Sequence, residues 1–297
     1  MHWKMTVTAA AFGLIAVPAL AGSPMFDQDF GMPVHPTLAG HIEFGAGPEH
    51  YSESYGFGDT SSSRVRMDGA ARVNMPLGGL WNLEAEGTVH DAWSSGSSSP
   101  SAGAYAHLWA MFPSAAVGVF AGGSTGSVGT PLFLKLATLT GDTFVAGLEG
   151  EAYLNRVTLG GQFSVSTTDF GGPASDYHGW LARAYAAFYL DPETKIVGDV
   201  RYSDFASSLY SLDGQNRWQF IASAEHRFAG TPWSIWASGS YSTVQDTDYT
   251  DSTSNQWNFL VGFRLFMDDP STTLYRHDRE VPFRYDNQMR LAIGGVT

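Results

Sequence analysis

Cysteine is absent from the 297 residues of this chain, so no disulfide can crosslink it. Charged residues are also scarce, at 15%, against 14% aromatic residues and 34 glycines. Beyond the N-terminal segment, no stretch reaches the roughly 20 uninterrupted apolar residues that a membrane-spanning helix needs, and no solenoid or propeller repeat is present. These absences exclude a disulfide scaffold, a helical membrane protein and a repeat array. The composition instead indicates apolar and polar residues that alternate along one domain.

Motifs for catalysis and cofactor binding are few. The nine histidines are scattered, with no HExxH spacing and no cysteine beside them, so the sequence predicts no metal site and no cofactor. The glycine-rich run at residues 122–126 lacks the lysine and the following helix of a phosphate-binding loop. A formal net charge of −13 argues against nucleic acid as a partner.

The first 21 residues have the organisation of a secretory signal peptide. A short basic start at residues 1–4 precedes an apolar stretch over residues 6–17, and a small-x-small cleavage site ends at Ala21. We therefore expect residues 1–21 to be removed on export. Residues 22–37 show no periodicity and contain three prolines, which predicts an irregular periplasmic lead-in.

The segment QWNFLVGFRLF, residues 256–266, predicts a strand with one strongly apolar face. Its odd positions are all large and apolar, whereas its even positions are mostly polar or small and include Arg264. A two-residue period of this kind indicates lipid on one side and a wet lumen on the other. A core strand of a soluble sandwich is the alternative interpretation of this segment alone.

The same alternation along the chain predicts an all-β fold, a transmembrane antiparallel up-and-down β-barrel of about twelve strands. Short connections near residues 77, 114, 155, 192 and 230 alternate with longer loops. Short periplasmic turns and long outer loops are typical of bacterial barrels, and an even strand number places both termini in the periplasm. The strands are predicted over residues 38–46, 64–75, 81–90, 103–112, 115–123, 143–153, 156–168, 180–190, 195–204, 217–228, 233–244 and 256–266.

Tryptophans recur at the predicted strand ends. Amphipathic rings at both membrane–water interfaces form the aromatic girdles of transmembrane barrels, whereas a soluble sandwich has no reason to place them there. The predicted periplasmic girdle contains Trp81 and Trp233, and the predicted outer girdle contains Trp93, Trp180, Trp218 and Trp257.

With its signal peptide, alternating strands, girdles and closing strand, the chain resembles bacterial outer-membrane β-barrels (porin-like proteins) as a class, over residues 38–267. The resemblance implies an outer-membrane location, with outer-membrane lipid and lipopolysaccharide as partners. Such chains commonly end on the aromatic residue of the last strand, whereas here residues 268–297 follow. We interpret this segment as a periplasmic tail that plugs the lumen, binds a periplasmic partner or remains a disordered extension.

Acidic and basic side chains occupy the inward positions of the predicted strands in nearly equal number. Small inward residues are expected to leave open volume, so a barrel of this size is predicted to form a narrow aqueous channel. The small residues are Gly118, Gly147, Gly160, Ser164, Ser238 and Ser240. The lumen-lining side chains are Glu43, Arg64, Arg66, Asp68, Arg72, Glu84, Glu86, His90, Glu149, Glu151, Arg183, Asp199, Arg201, Glu225, Arg227 and Arg264.

Three functions remain open at this point. The first is a passive channel for small hydrophilic solutes or ions. The second is a structural or docking barrel whose tail binds a partner, and the third is an outer-membrane lipid hydrolase. No Ser, His and Asn arrangement for hydrolysis stands out, so the sequence predicts no enzyme.

A mild cation preference is expected of the channel because acidic residues dominate its predicted outer loops, where they attract cations over roughly a Debye length. Lys135 is the only basic residue in these predicted loops. The acidic residues are Glu49, Glu53, Asp59, Asp142, Asp169, Asp176, Asp213, Asp246, Asp248 and Asp251.

The register of the second and third strands can also be predicted. If residues 76–80 connect them, residues whose numbers sum to 156 face each other. Arg72 is then expected opposite Glu84, and Arg66 opposite His90.

Overall fold

The computed structural model describes residues 38–55, 58–94, 97–129, 138–169, 177–207, 214–246 and 253–281. The expected signal peptide and lead-in, and residues 282–297 of the expected tail, lie outside these ranges. Helix α1 is Leu274–Glu280. The strands are β1 (Ala39–Tyr55), β2 (Gly58–Gly78), β3 (Trp81–Ser94), β4 (Ser97–Ser98), β5 (Ser101–Phe112), β6 (Ala115–Gly129), β7 (Thr138–Leu154), β8 (Val157–Asp169), β9 (Tyr177–Asp191), β10 (Thr194–Ser207), β11 (Gly214–Arg227), β12 (Trp233–Asp246) and β13 (Thr253–Phe266).

Twelve long strands close into one antiparallel barrel, which confirms the predicted fold. Each long strand pairs with its neighbours in the chain, and β1 completes the ring by pairing with β13, from His41 opposite Phe266 to Ser54 opposite Thr253. The two-residue β4 pairs antiparallel with the end of β3, at Trp93 and Ser94. Closure pairs both edges of every long strand, so the described sheet has no free edge that could bind another chain.

The two ends of the barrel differ in their connections. At one end, the short-turn end, tight turns at residues 79–80, 113–114, 155–156 and 192–193 and the connection at 228–232 join the strands. At the other, the loop end, the longer connections lie partly outside the described residues. The long β1–β2 hairpin is an exception, because its strands stay paired out to Tyr55 opposite Gly58.

The outward and inward faces of the wall have opposite chemistry. Outward side chains include Phe144, Leu148 and Phe163, which are 61%, 62% and 48% exposed. The inward positions of the same strands hold buried charges such as Glu149. A soluble sandwich would bury the apolar face and expose the charges, so the soluble interpretation of residues 256–266 is excluded. Among the described residues, no helix is long and apolar enough to cross a membrane.

Two predictions about the β1–β3 region are wrong. Residues 47–63 were predicted as a loop, but most of them continue β1 and β2 as a paired hairpin. The β2–β3 register is also displaced by two residues, so that Arg72 faces Glu86, and Asp68 rather than Arg66 faces His90. The cause lies in the turn, where the register shifts between Pro76 and Gly78. A displacement of two residues keeps every side chain on its predicted face.

The predicted open volume is contradicted at three of the six small lumen residues, the glycines, because aromatic rings from adjacent strands occupy it. A Cβ atom added to Gly118 would meet the Trp109 ring at 2.8 Å, and one added to Gly147 would meet the Phe120 ring at 2.6 Å. The Tyr185 ring covers Gly160 in the same way. Glycine at these positions makes room for a neighbouring ring, so the inner wall is filled where the sequence suggested space.

Helix α1 follows the last strand and lies against the short-turn end. Thr273 caps its N-terminus by accepting a hydrogen bond from the Arg276 backbone N–H. The Tyr275 backbone N–H donates to the Pro192 carbonyl at 2.9 Å, and its hydroxyl donates to the Asn155 carbonyl at 2.7 Å. These bonds attach α1 to two separate turns of the barrel.

Candidate functional site: the charged lumen and its C-terminal segment

The loop end of the lumen contains a chain of ion pairs between β1, β2 and β3. Arg64 Nε donates to Glu49 Oε1 at 2.6 Å. Arg66 pairs with Asp68, which also lies 2.5 Å from Nδ1 of His90. Glu49 was predicted at the outer mouth, but its side chain is fully buried between Arg64 and Arg66. The strand extension described above causes this difference, because it carries Glu49 onto the inner wall.

A second cluster joins β9 and β10 in the wall opposite β3. Asp199 accepts from Arg183 Nε at 2.8 Å and from Arg201 Nη2 at 2.9 Å. One carboxylate between two guanidiniums leaves this side of the lumen locally positive. Glu151 lies nearer the short-turn end and accepts a hydrogen bond from the Tyr185 hydroxyl.

Near the short-turn end, one network crosses several strands. Arg264 bridges Glu43 of β1 and Glu225 of β11. Glu225 also pairs with Lys195, whose ammonium group reaches Asp278 of α1 at 3.2 Å. This network therefore connects the barrel wall to the C-terminal segment.

The richest cluster of carboxylates lies on β3 and β7. Arg72 Nη2 donates to Glu86 at 2.7 Å, and its Nε lies 3.2 Å from Glu84. Between these carboxylates and Glu149, the ring of His107 places Nδ1 at 2.8 Å from Glu149 and Nε2 at 3.5 Å from Glu86. Ligand atoms of Glu84, Glu86 and His107 all lie within 4.8 Å of one another.

The segment around α1 covers the short-turn end of the lumen with buried polar side chains. Asp268 accepts from Arg227 at 2.9 Å and lies 2.6 Å from Nδ1 of His277, while Nε2 of His277 faces His41 at 3.3 Å. Burial lowers the pKa of His277 to about 4, although Asp268 opposes this shift. Burial alone would raise the pKa of Asp268, but the bonds from His277 and Arg227 outweigh it and lower the pKa.

Every predicted lumen residue lies on the inner side of the wall, and all are buried except Arg64 and His90, which are partly buried. The sequence interpretation omitted inward side chains that the structure adds to the same networks. Lys195 has the same strand parity as Asp199, and this signal was sufficient to identify it. Arg217 has the same strand parity as Glu225 and Arg227, and His107 lies on the strand predicted over residues 103–112, so the alternation also allows both to be placed in the lumen. Glu49 depended on the extension of β1, which carries it onto the inner wall.

The six predicted girdle tryptophans lie on the outer surface near the strand ends. Five are exposed, and Trp180 is half-buried because it contacts the rings of Phe163 and Tyr202. Tyr202 also contacts Trp218, with ring centroids 4.8 Å apart. These rings form a continuous aromatic row on β8 to β11, as expected at a membrane–water boundary.

A Ser and His pair relevant to hydrolysis occurs on the outer face at the loop end. Nδ1 of His50 lies 3.0 Å from the Ser63 hydroxyl, and Ser52 follows two residues after the histidine, a spacing that the sequence interpretation did not single out. Within the described ranges, Ser63 is the only side chain that hydrogen-bonds His50. The third, orienting group of a hydrolytic triad is therefore not among its described contacts.

Comparison with known proteins supports the fold. No protein-family model and no curated protein sequence matches the chain. An outer membrane channel from Pseudomonas putida F1 superposes with a TM-score of 0.56 at 10% identity, over 82% of this chain and 99% of that one. The KdgM porin gives a TM-score of 0.44 at 10% identity, over 74% and 98% of the two chains. The translocator domain of the autotransporter NalP from Neisseria meningitidis gives 0.45 at 12%, over 77% and 89%.

At these identities the likeness extends to the fold alone. The chain has the closed antiparallel architecture of bacterial outer-membrane β-barrels, and its lipid-compatible outer surface agrees with that class. No specific family within the class is defined by these comparisons.

Proposed function

We propose that this protein is a narrow outer-membrane channel for small hydrophilic solutes or ions, and that the structure represents its closed conformation. The observation that carries the proposal is the charged inner wall, in which ion pairs extend from Arg64 and Glu49 near the loop end to Arg264 and Glu43 near the short-turn end. A barrel of purely structural role can fill its interior with apolar side chains, whereas a polar path for solutes needs charged or hydrogen-bonding walls.

Closure in this proposal has two components. The first is the inner wall itself, where the side chains of Trp109, Tyr153 and Tyr185 pack together and narrow the lumen. The second is α1, whose Asp278 and Tyr275 are buried against the short-turn end. α1 is held by polar bonds to side chains and turns and by the packing of Tyr275 against Tyr189. Because none of these contacts belongs to the strand ladder, α1 can leave without breaking the barrel.

The experiment is single-channel recording of the refolded protein in planar bilayers, with the full chain compared with a chain that ends after Thr273. We expect the full chain to conduct rarely and the shortened chain to open more often. The control is a full chain carrying Arg276→Ala, because Arg276 is an exposed residue of α1. If neither the full nor the shortened chain conducts, the channel proposal is wrong.

A mild cation preference belongs to the same proposal. Its support is the exposure of Asp59, Asp142 and Asp169 at the loop end. The burial of Glu49 weakens this support, because its charge is neutralised inside the wall. Reversal potentials under a salt gradient, recorded on the same channels, should indicate cation selectivity at low salt and less at high salt. Anion selectivity would instead assign the filter to the lumen arginines.

The second candidate is a structural or docking barrel, and the filled inner wall favours it. This candidate predicts that neither the full nor the shortened chain conducts in the bilayer experiment. It also predicts that the C-terminal segment binds a periplasmic partner, so that its removal changes partner capture without changing conductance.

A further inference from the structure

Glu84, Glu86 and His107 have the geometry of a group that can share one cation. Glu84 and Glu86 are two residues apart on β3, so both point inward, and His107 lies opposite Glu84 on β5. All three side chains are buried, and one ligand atom from each lies within 4.8 Å of the others. Two ligand atoms about 2.0 to 2.1 Å from one tetrahedral cation are about 3.3 Å apart. The distance from His107 Nε2 to Glu86 Oε2, 3.5 Å, is already close to this value.

Glu149 orients the imidazole of His107 for such a role. It lies 2.8 Å from Nδ1, so it can accept the Nδ1 proton and leave Nε2 with a lone pair directed toward Glu86 and Glu84. Histidines that bind metals usually donate their other ring N–H to a carboxylate in this way. The ring also stacks on Phe120, with centroids 5.5 Å apart, which limits its rotation.

Several buried atoms of the cluster lack a hydrogen-bond partner. These are both carboxylate oxygens of Glu84, Oε1 of Glu86 and Nε2 of His107. Glu84 is fully buried, and its contact with Arg72 Nε at 3.2 Å is an ion pair without hydrogen-bond geometry. Since native proteins rarely bury such atoms unpartnered, these four point to a ligand that the protein does not itself supply.

Two side-chain amides near the cluster also have buried polar atoms without a hydrogen-bond partner. Asn82 precedes Glu84 by two residues on the same inward face of β3, and Gln162 lies opposite Glu149 on β8. Neither the oxygen nor the nitrogen of either amide has a partner among the described atoms. The surroundings of the cluster therefore contain more polar groups than the protein contacts satisfy.

The charge of the cluster matches a divalent cation. Glu84, Glu86 and Glu149 contribute carboxylates, and Arg72 neutralises only one of them. With His107 neutral, as a metal ligand must be, about two negative charges remain. A monovalent cation would leave one of these charges buried without compensation.

From these observations we infer that Glu84, Glu86 and His107 bind one divalent transition-metal cation in the lumen, with Glu149 as the carboxylate that orients His107. One imidazole nitrogen with carboxylate oxygens suits Zn²⁺ or Mn²⁺ better than Ca²⁺, which prefers oxygen ligands alone. Bound there, the cation links β3 to β5 inside the barrel wall.

The test is isothermal titration of the refolded full chain, after treatment with a chelator, with Zn²⁺, Mn²⁺ and Ca²⁺ in separate runs. We expect one strong Zn²⁺ site and clearly weaker Ca²⁺ binding. Glu86→Gln and His107→Gln should each weaken Zn²⁺ binding at least about 10-fold, and Glu149→Gln by about 10-fold to 100-fold. X-ray absorption at the zinc edge should show mixed nitrogen and oxygen ligands.

The matched control is Glu151→Gln, which removes another buried carboxylate of β7 that is held by the Tyr185 hydroxyl. Its Zn²⁺ affinity should equal that of the unchanged chain. The heat-dependent gel mobility of each variant reports whether the barrel has folded, so lost binding cannot be confused with lost structure. Absence of a strong Zn²⁺ site would overturn the inference and leave solvent as the partner of the buried polar atoms. Equal Zn²⁺ affinity in all variants would also overturn it and assign the binding to surface histidines. The readout is metal binding alone, so it is independent of whether the barrel conducts.

Discussion

At the residue scale, the inner wall is built from glycines paired with aromatic rings on the next strand. The ring of Tyr185 lies over Gly160, and the ring of Trp236 lies over Gly45 and Gly262. A ring that lies against a neighbouring strand occupies the space on the inner wall that a side chain at the glycine would otherwise take. This arrangement explains how glycine-rich strands still give an inner wall that is packed with side chains.

We expect Gly160→Ala to lower the free energy of unfolding by about 1 to 3 kcal/mol, because the new methyl group would overlap the Tyr185 ring in a packed wall. Gly198→Ala is the control, since no atom lies within 4 Å of a Cβ added there. The free energies are measured by urea titration of the protein refolded into vesicles. In a chain that also carries Tyr185→Ala, Gly160→Ala should cost less. An equal cost in both backgrounds would contradict the role of the ring.

At the element scale, α1 is attached to the barrel by groups that titrate at different pH values. The His277 ring is faced by Asp268 of its own segment, His41 of β1, and the guanidiniums of Arg227 and Arg264 on β11 and β13. In the undocked segment, His277 has its ordinary pKa of 6.5, whereas burial lowers the pKa of the docked side chain to about 4. Between these values the docked state binds fewer protons, so docking is most stable above pH 6.5 and weakens as the pH falls toward 4.

We therefore expect the C-terminal segment to become more accessible to protease as the pH is lowered from 7 to about 4.5. The shift from 6.5 to about 4 corresponds to roughly 3 kcal/mol as an upper bound on the change in docking free energy. His277→Gln removes the titrating group and should flatten the pH dependence. If this variant keeps the same pH profile, another group controls docking. The His277 and Arg227 side chains hold the pKa of Asp268 below its ordinary value, so this carboxylate stays ionised across the window and does not contribute to the expected change.

At the scale of the whole molecule, the barrel has an apolar exterior around a charged interior. Phe259, near the middle of β13, is 51% exposed on the outer face, whereas its neighbour Leu260 is buried on the inner side. Lipid makes such exposure favourable, because the acyl chains replace the apolar core that a soluble protein would provide.

We expect Phe259→Arg to destabilise the membrane-inserted barrel by about 2 to 4 kcal/mol, the cost of a charge on the lipid face near the bilayer midplane. Phe259→Leu retains an apolar side chain and serves as the control, with a change below about 1.5 kcal/mol. Reversible folding into vesicles measures both. Equal stability of the arginine and leucine variants would show that this face does not contact lipid.

The fold and the facing of most side chains follow from the sequence, because a two-residue period is a local property that each strand displays by itself. Residues 256–266 show this most directly, and the inward arginines of β2, β9 and β10 were placed on the correct face from parity alone. Parity survives a register displacement of two residues, which is why Arg72 faces inward although Glu86, and not the predicted Glu84, is directly opposite it.

Only the tertiary structure decided how the interior is filled and which groups meet. His107 lies 42 residues from Glu149 in the chain, and His277 lies 236 residues from His41. Such contacts depend on strand register, on the bulge at Pro76 and on the docking of α1, none of which a local pattern specifies. The placement of Glu49 between Arg64 and Arg66 depended in the same way on the continued pairing of β1 with β2 beyond residue 46. The sequence by itself therefore determined an alternating barrel with a charged lumen. The ring-packed inner wall, the contacts of α1 with the short-turn end and the cluster of Glu84, Glu86 and His107 arise because side chains distant in the chain meet only when the strands pair and close.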